Sequence, residues 1–593
     1  MRSTPTSLAL TLAIGAILAG GCRARGGDST ASDSTAAAGG ATAATVPIAC
    51  APDNGGLTLP SGFCATVFAD SIGHARHITV SSDGTVYVNT WSGEYYGKDK
   101  PHAGGFLVAL RDTTGDGRAD VVARFGDSVQ SGGHGGTGIA LHGGSLYAES
   151  NDKILKYALP AGSLTPTAAP EVVVDSLPLS GDHPMHPFVI DSKGGLYMSS
   201  GSASNACQVR DRKAGSPGHD PCTELETRGG IWRYEAEKTG QHFSKNERYA
   251  TGIRNAVGIA ADASGQVYST QHGRDQLAEL WPKLYTPVQG QNFPAEELLE
   301  IKKDADFGWP TCYFDSTQAK LVLAPEYGGD GGKKIGDCAT KQAPAAYFPA
   351  HWAPDALLFY YGTNFPAQYK GGAFIAFHGS WNRAPGPQGG YNVVFVPFTG
   401  GMASKEYQVF ADGFAGGKKE PGKAAFRPAG LAVGPDGTLY IGDDVHGRIW
   451  RVMYGGSAVP SPAAPAAPAA TDTSTVNAPS AAIPVSAAAK AAGITPAMVA
   501  LGDSIFHGQV ANGTCTACHG SDAKGTPLAP DLTDNTWLWS DGSYKAIVKT
   551  ITEGVPAPKE HRGVMPPMGG VQLTPAQVSA VGGYVFALSH QGA

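Results

Sequence analysis

Gly430-Leu431-Ala432-Val433, followed by Gly437-Thr438-Leu439-Tyr440-Ile441, reads as an apolar strand, a glycine-centred turn and a second strand carrying an aromatic residue. The pattern recurs upstream. Ile78-Thr79-Val80 leads to Gly84-Thr85-Val86-Tyr87-Val88, and Ile139-Ala140-Leu141 leads to Gly144-Ser145-Leu146-Tyr147. Phe188-Val189-Ile190 precedes Gly195-Leu196-Tyr197-Met198, and Gly258-Ile259-Ala260 precedes Gly265-Gln266-Val267-Tyr268. Gly372-Ala373-Phe374-Ile375-Ala376 is a looser copy. One such hairpin buries a single face, and six bury the rest by stacking radially about an axis. The expected major fold is an all-β six-bladed β-propeller. Tyr268 to Phe374 is too long for one blade, which predicts an insertion containing Cys312 and Cys338 on the face that carries the site.

Composition agrees with short strands and turns: Gly 81 and Pro 42 in 593 residues, with only 16% charged. A net charge of -7 with no Lys/Arg run excludes a nucleic-acid partner. Such a length predicts two folded domains with tethers.

Residues 1–22 carry Arg2, an apolar run from Leu8 to Leu18, then small residues up to Cys22, the layout of a lipoprotein-type signal with Cys22 lipidated. Residues 23–48 are too poor in large apolar groups to fold and form a flexible tether. This places the chain on the periplasmic side of a bacterial membrane, held there by lipid. Cys50 and Cys64, Cys207 and Cys222, and Cys312 and Cys338 lie near one another in sequence, which suggests three disulfides in an oxidising space. Residues 49–455 are assigned to the propeller and the Ala/Pro-rich 456–493 to a linker.

Residues 494–593 form a second, all-α domain. In it, Cys515-Thr516-Ala517-Cys518-His519 sets two thiols to bond haem vinyl groups and one imidazole to ligate iron. Met565, in Met565-Pro566-Pro567-Met568, is the expected second axial ligand, with Met568 its rival. Gly502-Asp503-Ser504-Ile505-Phe506 is read as a helix start, and Thr574-Pro575-Ala576-Gln577 as the cap of a final helix. With Pro530-Asp531-Leu532, this region resembles class I cytochromes c.

In the propeller, His183, Arg254-Asn255 and Arg427 stand just ahead of repeat strands, where one axial end gathers a histidine, cations and an amide. Gly252-Ile253-Arg254-Asn255, His272-Gly273-Arg274-Asp275-Gln276-Leu277, Asp306-Phe307-Gly308-Trp309-Pro310, Phe377-His378-Gly379-Ser380-Trp381-Asn382-Arg383 and Phe426-Arg427-Pro428-Ala429-Gly430-Leu431 carry a resemblance. Together they resemble the six-bladed quinoprotein dehydrogenases of the aldose and sorbosone type, over roughly Leu57 to Tyr454. That family binds pyrroloquinoline quinone (PQQ) and oxidises sugar hydroxyls or aldehydes. The resemblance implies His183 as catalytic base, with His186 its rival, and Arg76, Arg254, Asn255, Arg383 and Arg427 as PQQ contacts. It also implies Ca2+, with Gly273 and Asp275 as candidate ligands. The expected whole is a quinohaemoprotein dehydrogenase that takes a sugar or polyol and passes electrons through its haem c to an external acceptor, such as a periplasmic cytochrome or oxidase. Two alternatives stand beside it: a non-catalytic binding propeller attached to an electron-transfer cytochrome, and a dehydrogenase of non-sugar alcohols or aldehydes.

Overall fold

The computed structural model describes residues 50–90, 104–126, 136–383, 386–420, 422–455, 486–507, 515–520, 523–526, 529–534, 536–561, 564–571 and 573–590. The proposed signal, Cys22 and the tether lie outside them, as does most of the linker. The chain divides into two compact units, residues 1–463 and 464–593.

In the first unit, six sheets of four antiparallel strands follow one another, each built on one of the six sequence repeats, and the second gains a fifth, parallel strand, Gln241–His242, beside Glu171–Asp175. The first has Ala75–Val80, Val86–Thr90, Leu107–Arg111 and Val121–Phe125 in order. The second starts at Ile139–His142, the third at Phe188–Ile190, the fourth at Ile259–Ala261, the fifth at Pro354–Phe359 and the sixth at Pro428–Val433. The sixth is completed by the N-terminal strand Phe63–Ala69, which pairs with Ile449–Tyr454 in the register Phe63↔Tyr454 and Cys64↔Met453.

Strand alternation explains why the repeats close a ring. Successive side chains point to opposite faces, so Val86 and Val88 pack against the sixth blade while Tyr87 between them packs against the second. The recurrent aromatic does this in every blade: Tyr147, Tyr197, Tyr268, Phe374 and Tyr440 each face the following sheet. Six apolar clusters result, one between each adjacent pair of blades. The richest holds Phe374 among Tyr369, Phe395 and Phe410.

The predicted insertion belongs to the fourth blade and comes in two parts. One part, between Val267–Gln271 and Glu296–Glu300, holds short helices at Leu277–Leu280 and Pro287–Asn292. The other, ahead of Ala346–Phe348, holds a hairpin of Cys312–Asp315 and Lys320–Leu323. Disulfides join Cys50 to Cys64, Cys207 to Cys222 and Cys312 to Cys338.

The second unit is helical: Ala487–Ala491, Pro496–Phe506, Cys515–His519, Tyr544–Glu553 and Pro575–Ser589. Two expectations change. The helix expected to start at Gly502 starts at Pro496 behind a Thr495 cap, and Gly502 lies inside it. Gly502 is where that helix crosses the last one, and a Cβ there would stand 2.1 Å from the Ala580 carbonyl oxygen. Ala487–Ala491, assigned by composition to the linker, belongs to this unit, because Ala489 is buried in its core. The final helix has the predicted capping box of Thr574 and Gln577.

Candidate functional site

In every blade the first and second strands run antiparallel, so the start of the first and the end of the second meet at one end of the propeller. The registers Ala75↔Thr90, Pro354↔Phe377 and Pro428↔Asp443 record this. Arg76, Arg254, Asp355 and Arg427 occupy or precede first strands, while Ser202, His272, His378 and Asp444 follow second strands. Topology thus gathers them at one axial end.

His183 Nδ1 lies 2.9 Å from the Ser202 carbonyl and 3.0 Å from the Ser202 hydroxyl oxygen. That hydroxyl donates to Ser204 O at 2.7 Å, so its proton is spent. Nδ1 therefore carries the hydrogen and donates to Ser202 O, which leaves the Nε2 lone pair free. Burial, and next the positive charge of Arg254, push the His183 pKa well below the ordinary histidine value, so the ring is a neutral base. Gly201 makes room for this ring, since a Cβ there would stand 2.6 Å from His183 Cβ and 3.1 Å from Asn255 Oδ1. The Asn255 amide makes no hydrogen bond among the described residues.

Arg254 is buried and heavily tied. It donates to Asn205 O (3.0 Å), Gly273 O (3.0 Å), Asn205 Oδ1 (3.1 Å) and Asp275 Oδ2 (3.0 Å). Asp275 also accepts from Arg212 at 3.1 Å and from Asn382 Nδ2 at 2.7 Å. Burial would raise the Asp275 carboxyl, but Arg254, His351 and Arg212 outweigh it and hold the pKa at about 2. The same contacts count against the calcium assignment. With its carboxylate on two guanidiniums and an amide, and with Gly273 O on Arg254, neither residue fits a calcium ligand, and Ca2+ takes no part in the mechanism below.

Beside this group lies a second network. Arg76 bridges Asp444 (2.7 Å) and Asp355 (3.2 Å). His378 Nε2 meets Asp444 at 2.7 Å and His272 Nε2 meets Asp355 at 3.2 Å. Burial would raise both carboxyls, yet His378, with Arg76, outweighs it and holds them below the usual range. His272 is raised, because Asp355 overcomes the lowering by burial. His378 is lowered, burial and Arg427 prevailing over the two carboxylates. Arg427 donates to His378 O at 3.0 Å and Gly379 O at 2.8 Å.

Arg383 is not brought into this group. Its guanidinium reaches Pro387 O, Gln291 O, Ala350 O and Asn292 Oδ1, bracing the loop against the fourth-blade insertion, and the preceding Asn382 reaches Asp275 instead. His186, the rival base, is buried with both ring nitrogens unbonded and Nδ1 3.4 Å from Glu149, so it has no access to a substrate. Sequence reading gave no role to Asp355, Asp444, His272, His378, Ser202 or Asn205. The signal available for the first four was their position at strand starts and ends.

What the set offers a flat, oxygen-rich ligand is an uncommitted amide on Asn255, an uncommitted imidazole nitrogen on His183 and the Arg427 guanidinium, which bonds carbonyls, whereas Arg76 and Arg254 are paired with carboxylates. In the helical unit, an apolar cleft is lined by Cys515, His519, Trp537, Met565, Met568 and Leu573. His519 Nδ1 donates to Pro530 O at 3.0 Å, which leaves Nε2 as the nitrogen with a lone pair to offer a metal. Burial lowers the His519 pKa, favouring the neutral ligand form. Both methionines line the cleft. Met565 is the one whose main chain is fixed on both sides, by bonds of 2.7 and 3.1 Å to Val555. The cleft and its motif fit a haem attached through Cys515 and Cys518.

Comparison with known proteins agrees with both halves. A family described as TrAA12-like matches residues 57–455, and cytochrome c matches 500–589. A pyrroloquinoline quinone-dependent pyranose dehydrogenase from Coprinopsis cinerea is 28% identical over 242 residues, 34% of this chain and 30% of that protein. A cbb3-type cytochrome c oxidase subunit from Rubrivivax gelatinosus is 41% identical over 105 residues, 18% of this chain and 31% of that protein. The chain spans about half or less of the length of the curated relatives it matches. The holo PQQ domain of the Coprinopsis pyranose dehydrogenase superposes with a TM-score of 0.52 at 20% identity, covering 67% of this chain and 97% of that one, a likeness of fold.

Proposed function

Because this chain belongs to the TrAA12-like family over residues 57–455 and ends in a cytochrome c domain, we propose that it is a PQQ-dependent sugar dehydrogenase that passes electrons through its own haem c. The observation that carries this reading is the neutral His183, its Nδ1 fixed on Ser202 and its Nε2 free beside Arg254 and Asn255. PQQ, when bound, supplies a two-electron acceptor that protein side chains lack.

The residues of the chain do the rest. His183 Nε2 takes the proton of the substrate hydroxyl, and the bond from Nδ1 to Ser202 keeps the ring in the required tautomer. Arg254, Asn255 and Arg427 hold the cofactor's oxygens and offset negative charge that builds up there. Arg76, between Asp355 and Asp444, fixes those two carboxylates at the same end. Arg383 acts one step away, by bracing the loop that carries Asn382.

In the helical unit, Cys515 and Cys518 would hold the haem covalently, and His519 and Met565 would ligate its iron. A thioether ligand raises the potential, which suits an electron acceptor. The Ala/Pro-rich tether keeps the two units at millimolar effective concentration. Lipid on Cys22 would hold the assembly on the periplasmic face of a bacterial membrane, near a cytochrome or oxidase that receives the electrons.

The test is to load the full chain with PQQ and screen pyranoses, polyols and simple alcohols while following haem reduction in the visible spectrum. Reduction by an aldopyranose is the expected result. Reduction by simple alcohols alone would shift the substrate class, and no reduction by any of them would leave a non-catalytic propeller.

A further inference from the structure

A small pocket lies against the fourth-blade insertion, lined by Arg254, Gln271, His272, Arg274, Glu297 and Tyr313 among others. Glu297, in strand Glu296–Glu300, is 2% exposed. Its Oε1 accepts from Gln271 Nε2 at 2.8 Å, and its Oε2 has no hydrogen-bond partner. Arg274, on the same cavity, gives Nη1 to Glu326 at 2.5 Å and has an unpartnered Nη2. An orphan acid oxygen and an orphan guanidinium nitrogen on one small pocket, with room for about one water, make it a site for ordered water.

The cavity adjoins the axial site, with Arg254 itself in its lining. Gln271 links the two by bonds, because its Oε1 accepts from the main-chain N–H of Arg254 at 2.8 Å while its amide holds Glu297. His272 faces both, lining the cavity while its Nε2 meets Asp355 in the axial network. Each sugar oxidised by a dehydrogenase of this kind yields two electrons and two protons. The electrons leave singly through the haem, and the two protons need groups that can hold and release them.

We propose that Glu297 is the proton-holding group of the outward route: His272 gives a proton through pocket water to Oε2 and regains one passed on from His183, and Glu297 then releases its proton through the same water toward solvent. One O–H bond forms on the carboxylate and the same bond breaks on release, so the group returns to its starting state. The proposal rests on the dehydrogenase reading. It also gives the insertion closed by Cys312–Cys338 a task, since Cys312 and Tyr313 help to wall the cavity. Burial, reinforced by Glu296 and opposed by the Gln271 bond, lifts the Glu297 carboxyl to about 8, within the working range of a relay. The charged groups facing it are Arg254, His272 and Arg274 across the cavity and Glu296 beside it on the strand.

Glu297→Gln keeps the shape and the acceptor for Gln271 but cannot ionise. Infrared titration of the full chain without PQQ is expected to show a protonated buried carboxyl that ionises near pH 8 and is missing in E297Q. In the PQQ-loaded chain, E297Q should bind PQQ and accept the first equivalent of sugar normally, while steady haem reduction slows at least about 100-fold with an enlarged solvent isotope effect. E297D, which returns an ionisable group to the cavity, should recover most of the rate, and it serves as the test variant if E297Q does not fold. An infrared titration unchanged in E297Q overturns the assignment whether or not PQQ binds. So does haem reduction equal to the unmodified chain at every pH. Failure of the unmodified chain to oxidise any sugar would instead count against the dehydrogenase reading, leaving the infrared result to judge Glu297.

Discussion

Asp275 anchors Arg254: the carboxylate Oδ2 receives the guanidinium Nη2 at 3.0 Å, and the same group takes Arg212 at 3.1 Å and Asn382 at 2.7 Å. Removing its charge should free Arg254 from its place. Asp275→Asn is predicted to destabilise the propeller by about 2 kcal/mol, less than the 3–5 typical of a fully buried pair because 17% of the Asp275 side chain is exposed. Urea unfolding measures that loss. PQQ titration should show weaker binding in the same variant.

The same carboxyl makes the propeller sensitive to acid. Its folded pKa of about 2 lies below the ordinary 3.8, so its contribution is fully present above pH 4 or so and is lost as pH falls toward 2. Unfolding midpoints measured from pH 5 down to 2 should fall more steeply for the unmodified chain than for D275N. Equal slopes would assign the acid sensitivity to other groups.

His183→Ala is predicted to lower turnover at least about 100-fold, the scale of a lost general base, with PQQ affinity retained. Because burial and Arg254 hold the His183 pKa well below 6.5, the acid limb of the turnover profile should lie below the ordinary histidine range. A limb at or above 6.5 would point to a different base.

His519→Ala should abolish the low-spin haem spectrum. Met565→Ala should lower the haem potential and remove the methionine-ligand absorption while Met568→Ala retains both. The reverse pattern would exchange the two methionines. Electrochemical titration of the two variants decides between them.

Phe374→Ala, which empties the aromatic cluster between the fifth and sixth blades, should cost about 4 kcal/mol in urea unfolding of the propeller. A loss under 1 kcal/mol would mean that Tyr369, Phe395 and Phe410 close the void.

What could be read from sequence followed from periodicity. The repeated aromatic marked each blade because it is the residue that faces the next sheet, and six copies therefore counted six interfaces. His183, Arg254 and Arg427 stood out because each precedes a strand. Asp355 and Asp444 did not, since a lone carboxylate in sequence carries no sign of its partner. Only the strand register places them against Arg76, His272 and His378. Asn382 and Arg383 illustrate another limit. Which of two neighbouring side chains turns to the axis is set by loop conformation, and composition says nothing of it. Gly502 was read as a helix beginning, although its role is to let one helix approach the Ala580 carbonyl.

Pairing of Phe63–Ala69 with Ile449–Tyr454 has a consequence for biogenesis. This strand, the first among the described residues, has no strand partner until the last blade has been synthesised, so it waits as an unpaired edge through nearly the whole of propeller synthesis. In the proposed periplasmic setting, a chain in that state is exposed to proteases and to misjoined thiols, with Cys64 lying on the waiting strand itself. Closure of the ring is therefore the last event of propeller folding, and it joins the two ends of the chain segment that the six blades occupy.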